Sequence, residues 1–131
     1  AAQHNNIGVR GVSPDVQLQS INIFVGGESN ADIADGFYWA RDNDSDVISN
    51  SWGFTTFFGL RAECGDNPYP VITDAINDVA QTGRNGRGCV IIFASGNNGQ
   101  NCVTYPGSLP SVIGVGSLPY SGWYWSISTC N

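Results

Sequence analysis

The sequence predicts an α/β fold in which a parallel sheet carries helices on both faces. Two observations support this prediction: strand-like apolar runs alternate along the chain with segments of helical periodicity, and one of these runs is continuously apolar. A continuous apolar run is typical of a strand that is buried on both faces of a parallel sheet. The length of 131 residues allows one domain, residues 1–131, and leaves no room for a second.

The first half of the chain contains a strand, a helix and a second strand. Residues 16–24 (VQLQSINIF) carry apolar residues at strand-like positions, and a Gly-Gly pair closes the run. Residues 31–41 (ADIADGFYWAR) have their apolar residues at helical spacing, and a polar Asp-Asn-Asp sequence follows. Residues 46–50 (DVISN) form a short predicted strand.

The second half continues the alternation. Apolar residues mark one helical face over residues 71–81, and Gly83 is expected to stop this helix. Residues 89–94 (CVIIFA) are the continuously apolar strand, and later strands are predicted over 111–116 and 123–127. In such sheets, ligands bind beyond the carboxyl ends of the strands.

Two small polar loops follow strands 46–50 and 89–94. They are Ser51-Trp52-Gly53 and Ser95-Gly96-Asn97. If the two strands are neighbours in a parallel sheet, these loops leave the same edge and form facing walls of one cleft.

Composition excludes several classes of protein. Aromatic residues make up 11% of the chain, which excludes a disordered protein, and no apolar run approaches the ~20 residues of a membrane-spanning helix. The net charge is −6, and the basic residues are five arginines without a lysine. We therefore expect neither nucleic acid nor an anionic membrane as a partner.

The cysteines favour an oxidising compartment, with four reduced core thiols as the alternative. Four cysteines accompany 17 glycines and no lysine, and they allow three pairings between which the sequence does not choose. Neither a Cys-x-x-Cys motif nor a histidine cluster is present, so a zinc site is not expected. The chain contains neither methionine nor a signal peptide, and we expect it to be cut from something longer.

Four blocks in order resemble the subtilisin-like serine protease family. They are residues 1–14 (AAQHNNIGVRGVSP), 46–53 (DVISNSWG), 90–99 (VIIFASGNNG) and 105–116 (YPGSLPSVIGVG). The Ser-Trp-Gly sequence, together with residues 83–90 (GRNGRGCV), is similar to the kexin-like or convertase-like branch. The family's blocks for the catalytic Asp, His and Ser have no counterpart here. The resemblance therefore implies that this chain is the part of such a protease between the catalytic His and the catalytic Ser. That part alone is expected to be inactive.

The resemblance implies a catalytic role for Asn97. Its side-chain amide would donate a hydrogen bond to the oxyanion that forms when a peptide carbonyl is attacked. The alternative is an asparagine that only supplies turn geometry beside Gly96 and Gly99.

The resemblance also implies which residues bind substrate; for each, a plain strand-end turn is the alternative. They are Ser51, Trp52, Gly53, Ala94, Ser95 and Gly96 as cleft walls, with Gly26 and Gly27 on the substrate's other side. The convertase branch places acidic pocket residues where this chain has residues 54–56 and 105–107, which are uncharged. We therefore expect apolar or broad specificity instead of cleavage after Arg or Lys.

Residues 1–14 resemble the segment that follows the family's catalytic-histidine block, including its calcium loop. The implied ligands are Gln3, Asn5, Ile7 and Val9, through one amide and backbone carbonyls, and oxygen ligands of this kind suit calcium. His4 lies in the same loop and is expected to be a solvent-exposed residue with no catalytic role. Calcium would bind this chain only weakly, because the other ligands lie upstream.

The resemblance to the convertase-like branch further implies two covalent features. A disulfide joins Cys102 to Cys130, which leaves Cys64 with Cys89. The family's Tyr-Pro-Gly segment implies a cis peptide bond between Tyr105 and Pro106.

The function implied is that of a fragment of a secreted serine endopeptidase. Its partners would be a peptide or protein substrate and the remainder of the parent chain. The alternative is a non-catalytic module used for binding or extracellular assembly, in which aromatic residues serve as contact residues. That set comprises Trp52, Phe54, Phe57, Phe58, Trp123, Tyr124 and Trp125.

Overall fold

A computed structural model describes residues 6–24, 29–54, 67–97 and 102–117. Within these ranges the elements are α1 (Asn30–Asp42), β1 (Val47–Asn50), α2 (Pro70–Gly86), β2 (Val90–Ala94) and β3 (Ile113–Val115). The three strands form one parallel sheet in the order β1-β2-β3. The predicted α/β class with a parallel sheet is confirmed.

Helix α1 begins with a capping box. The Ser29 hydroxyl accepts a hydrogen bond from the Asp32 backbone N–H, and the Asp32 carboxylate accepts one from the Ser29 backbone N–H. The hydrogen bond from the Ser29 backbone lowers the pKa of Asp32. The helix buries Ile33, Ala34 and Phe37 and covers the predicted range 31–41.

Helix α2 begins with a proline at its first position, where the missing N–H costs nothing. It buries Ile72, Ala75, Ile76 and Val79. Its backbone leaves helical values at Gly83, Arg84 and Asn85, so the predicted stop at Gly83 coincides with a kink.

Both helices pack on one face of the described sheet, so helices on both faces stay a prediction. Ile91 and Phe93 of β2 are buried in the same core cluster as the apolar residues of α1 and α2. The opposite face carries exposed apolar side chains: Val47 (54% exposed), Val90 (37%), Ile113 (54%) and Val115 (52%). Among the described elements, none covers this second face.

The strand predicted over residues 16–24 is wrong. These residues have no strand structure, and a cavity of about 780 Å³ lies between them and β1. Side chains hold the segment in place instead: the Gln19 amide donates to the Asn43 carbonyl, and the Ser45 hydroxyl donates to Gln19 Oε1. The backbone is therefore anchored beside β1 without joining its ladder. The predicted strand 123–127 lies outside the described residues.

The predicted Cys64–Cys89 disulfide is also wrong, because Cys89 is a free, buried thiol. Its Sγ atom donates to the Ser45 carbonyl at 3.0 Å, and the turn at Gly83 packs against it. Cys102 is disulfide-bonded to a partner outside the described residues, so the pairing with Cys130 stays a prediction. The Tyr105–Pro106 bond is cis, which confirms that prediction.

We expect Cys89 to react slowly with iodoacetamide in the folded chain. Burial raises its pKa above the ordinary thiol value; Arg84 opposes this shift, and the carboxylate of Asp46 adds to it. The reactive thiolate is therefore scarce at pH 8, and the reagent has little access. Mass spectrometry of the Cys89 peptide should show alkylation at least about tenfold slower in buffer than in guanidinium chloride. Equal rates in the two solvents would contradict this placement of the thiol.

Candidate active site

The two predicted wall loops leave the same edge of the sheet. Strands β1 and β2 are parallel neighbours, and Asn50 at the end of β1 stands opposite Phe93 near the end of β2. We call residues 51–54 the first wall and residues 94–97 the second wall. Because the sheet is parallel, both walls rise at the carboxyl ends of their strands, where such sheets bind ligands.

The Tyr105-Pro106-Gly107 segment lies against both walls. A Cβ atom placed on Gly53 would stand 3.5 Å from the Tyr105 carbonyl oxygen, and one placed on Gly107 would stand 3.1 Å from the Ala94 carbonyl oxygen. These contacts join three separate parts of the chain by backbone packing. The absence of a side chain matters at Gly107, where an added Cβ would also stand 2.9 Å from Val103 Cγ1, whereas the distance at Gly53 is an ordinary van der Waals contact.

The second wall is anchored before it reaches Asn97. The backbone N–H of buried Ser95 donates to the Val115 carbonyl at 3.0 Å, and the N–H of Thr104 donates to the Ser95 carbonyl at 3.2 Å. Gly96 then adopts a φ of 101°, a conformation that side chains disfavour. Asn97 follows and is exposed. An amide held at the surface by a fixed backbone can stabilise a developing anion without reorganising.

The aromatic side chains of the first wall pack inward. The Trp52 ring meets Phe93 edge-on with centroids 5.2 Å apart, and the Phe54 ring lies 4.2 Å from that of Tyr69. Both wall residues are half-buried and pack against the core. Trp52 and Phe54 therefore support the cleft from inside and are not exposed contact residues.

A buried polar group lies beneath these rings. The Tyr105 hydroxyl donates to the Tyr69 carbonyl at 3.1 Å and lies 3.0 Å from Thr73 Oγ1. Burial raises the pKa of Tyr105, which keeps the phenol neutral. This group ties the segment at Tyr105 to the start of α2, behind the first wall.

Sequence reasoning missed Asn50. Its side chain bonds β2 and Trp52 at once, as described below. The available signal was a polar residue at an inward position of an otherwise strand-like run, since Ile48 two residues earlier faces the core.

Other predicted site residues are not brought to this cleft by the described structure. Gly26, Gly27, Gln3 and Asn5 lie outside the described residues. Ile7 and Val9 are exposed, at 77% and 86%. In the ranges that the structure describes, no three His, Cys, Asp or Glu residues group as metal ligands, and no helix is long and apolar enough to cross a membrane.

Comparison with known protein families shows to which family this chain belongs. The model of the subtilase family, Peptidase S8, matches residues 1–125. The chain belongs to this family. It is 40% identical over 106 residues to the calcium-dependent protease of Trichormus variabilis, covering 77% of this chain. It is 29% identical over 119 residues to subtilisin Savinase of Lederbergia lenta, covering 89% of this chain.

Solved structures of two proteases share the fold. The prenylagaramide maturation protease PagA matches with a TM-score of 0.68 at 24% identity, covering 97% of this chain and 42% of PagA. The self-cleaved protease domain of PatA matches with a TM-score of 0.58 at 27% identity, covering 77% of this chain and 34% of that domain. The matched part of this chain spans 16% of the Trichormus protease and 38% of Savinase.

Proposed function

We propose that this chain belongs to a serine endopeptidase that hydrolyses peptide bonds. The chain would form its oxyanion side, by which we mean the part that carries the donor to the oxyanion. One observation supports the proposal above the others: Asn97 is exposed beyond an anchored strand end, next to a parallel strand whose own loop forms the facing wall. A subtilase needs a donor of this kind where the scissile carbonyl is attacked.

The catalytic groups would be shared between this chain and the remainder of the parent chain. A serine outside residues 1–131 would attack the carbonyl carbon, and a histidine oriented by an aspartate would take the serine proton. The Asn97 amide would donate to the oxygen as it becomes an anion. Ser51, Trp52 and Gly53 on one wall, and Ala94, Ser95 and Gly96 on the other, would hold the substrate as an extended strand.

The remainder of the parent chain is the partner we propose for the open sheet face. Parallel sheets are normally covered on both faces, yet Val47, Val90, Ile113 and Val115 are exposed on one face of this sheet. The chain matches only 16% and 38% of the lengths of two relatives, which supports the same proposal.

Specificity follows from the absence of charge at the walls. None of residues 51–54, 94–97 and 104–107 is charged. A cationic substrate side chain would find no carboxylate among them, so we propose apolar or broad specificity. This holds even if the chain belongs to the kexin-like or convertase-like branch.

Calcium and secretion are further parts of the proposal. Carbonyls of Ile7 and Val9, with Gln3 and Asn5, are the oxygen donors that calcium prefers. A relative that is named a calcium-dependent protease supports this assignment. The disulfide at Cys102 supports an oxidising, extracellular location, and pairing with Cys130 remains our proposal.

Casein hydrolysis by two proteins tests the proposed function. The full-length protein that contains this sequence is expected to hydrolyse casein and to lose this activity with a serine-directed inhibitor. The 131-residue chain alone is expected to be inactive, because it lacks the triad. An inactive full-length protein would favour the non-catalytic binding module, and inhibitor-sensitive hydrolysis by the chain alone would contradict the division of the site.

A further inference from the structure

We propose that Asn50 is a positioning residue that locks the first wall to β2 and so sets the width of the cleft. The inference rests on the proposed peptidase function, because the cleft matters only if a substrate occupies it. Asn50 itself lies below the cleft, as the last residue of β1.

The lock consists of two hydrogen bonds made by one amide. Asn50 Nδ2 donates to the Ile92 carbonyl of β2 at 3.1 Å, and Asn50 Oδ1 accepts from the Trp52 indole N–H at 3.0 Å. The β1–β2 pairing ends at Asn50, opposite Phe93. The side chain therefore adds a link between the strands at the point where the first wall departs.

The Asn50 amide satisfies both partners at once. A carbonyl oxygen accepts and an indole N–H donates, so the residue between them must offer one donor and one acceptor on a short side chain. The same requirement fixes the orientation of the Asn50 amide. Aspartate keeps the acceptor for Trp52 but loses the donor to Ile92, and leucine keeps the approximate shape but neither bond.

Trp52 links these hydrogen bonds to the rest of the first wall. Its ring packs against Phe93 of β2 at 5.2 Å and against Phe54 of the same wall at 5.9 Å. Gly53, the next residue, lies near the Tyr105 backbone, since an added Cβ would stand 3.5 Å from the Tyr105 carbonyl oxygen. Fixing the indole nitrogen therefore fixes how deeply the first wall sits relative to the second wall, where Asn97 lies.

Hydrogen exchange of the Trp52 indole N–H in this chain tests the lock without any activity. Asn50→Leu is expected to accelerate that exchange about tenfold or more, because the N–H loses its acceptor. Asn50→Asp is expected to retain most of the protection. Asn77→Leu is the matched control, since it removes another half-buried amide contact, to Ser111, away from both walls. Unchanged Trp52 exchange in folded Asn50→Leu would overturn the proposal.

Kinetics of the full-length enzyme test the consequence for the cleft. Asn50→Leu should raise the KM for a peptide substrate about tenfold while kcat changes less than about threefold, because substrate binding is loosened more than the chemistry. Trp52→Phe, which keeps a ring but removes the N–H, should do the same. The double variant should add nothing to the effect of Asn50→Leu, since the hydrogen bond that Trp52→Phe removes is already lost in that variant.

Additive effects of the two substitutions, or an unchanged KM, would overturn the positioning role, and Asn77→Leu should leave KM unaltered. An unmodified full-length protein without peptidase activity would contradict the proposed function. In that case the indole exchange, measured on this chain, still decides whether Asn50 holds Trp52. If Asn50→Leu fails to fold, Asn50→Asp and Trp52→Phe carry the comparison.

Discussion

Replacement of Asn97 by leucine is expected to lower kcat of the full-length enzyme about 10²–10³-fold, with KM nearly unchanged. The magnitude is the one known for loss of one oxyanion-hole donor in a subtilisin and is taken over from there. The effect should fall on kcat because the amide meets a full negative charge only in the transition state. Steady-state kinetics on a peptide ester or amide measure both constants.

Asn97→Asp separates an electrostatic role from a turn-forming one. Aspartate has the same shape and suits the same turn, but its carboxylate would face the developing oxyanion. The donor role therefore predicts a loss at least as large as that of leucine. Near-normal kcat in Asn97→Asp would show that Asn97 only shapes the turn after Gly96. Asn77→Leu, outside the walls, should leave kcat unchanged.

Gly88→Ala is expected to lower the free energy of unfolding by about 3 kcal/mol or more. Gly88 has a φ of +79°, and an added Cβ would stand 1.9 Å from the Ala80 carbonyl oxygen. The left-handed backbone costs roughly 1–2 kcal/mol for alanine, and the backbone clash adds a further overpacking cost. Gly88 also donates from its N–H to the Gly83 carbonyl at 2.8 Å, so the turn cannot move away freely.

Gly86→Ala is the matched control. Gly86 has a nearly identical φ of +84°, but nothing lies within 4 Å of an added Cβ. It should therefore lose only the backbone cost of roughly 1–2 kcal/mol. Urea unfolding of both variants, at an unchanged m-value, measures the difference. Equal losses would contradict the close packing of the turn between α2 and β2.

Local patterns predicted those elements whose partners lie within the described sheet. The buried run of residues 89–94 had the apolar continuity of a central strand, and the structure places β2 between β1 and β3. Helical spacing likewise predicted α1 and α2, because their apolar faces pack on that sheet. Residues 16–24 show the opposite case: strand periodicity requires a backbone partner, and this segment is held by side chains instead.

Side-chain contacts that depend on how the elements pack together were less predictable. Nothing in the spacing of four cysteines shows that Cys89 is enclosed near Gly83 and Ser45, which depends on how α2 ends. The lock at Asn50 joins a strand carbonyl to an indole two residues on, so it emerges only once β1 and β2 are paired. The wall loops were predictable because both directly follow predicted strands of one parallel sheet.

Labelling of the full-length protein with a fluorophosphonate tests the central claim most directly. Such a reagent modifies a serine that a neighbouring base has activated. We predict a single modified serine outside residues 1–131, with casein hydrolysis lost in proportion to labelling. Modification of a serine within this chain, such as Ser51 or Ser95, or hydrolysis that persists after complete labelling, would contradict the assignment of this chain as the oxyanion side of a serine endopeptidase.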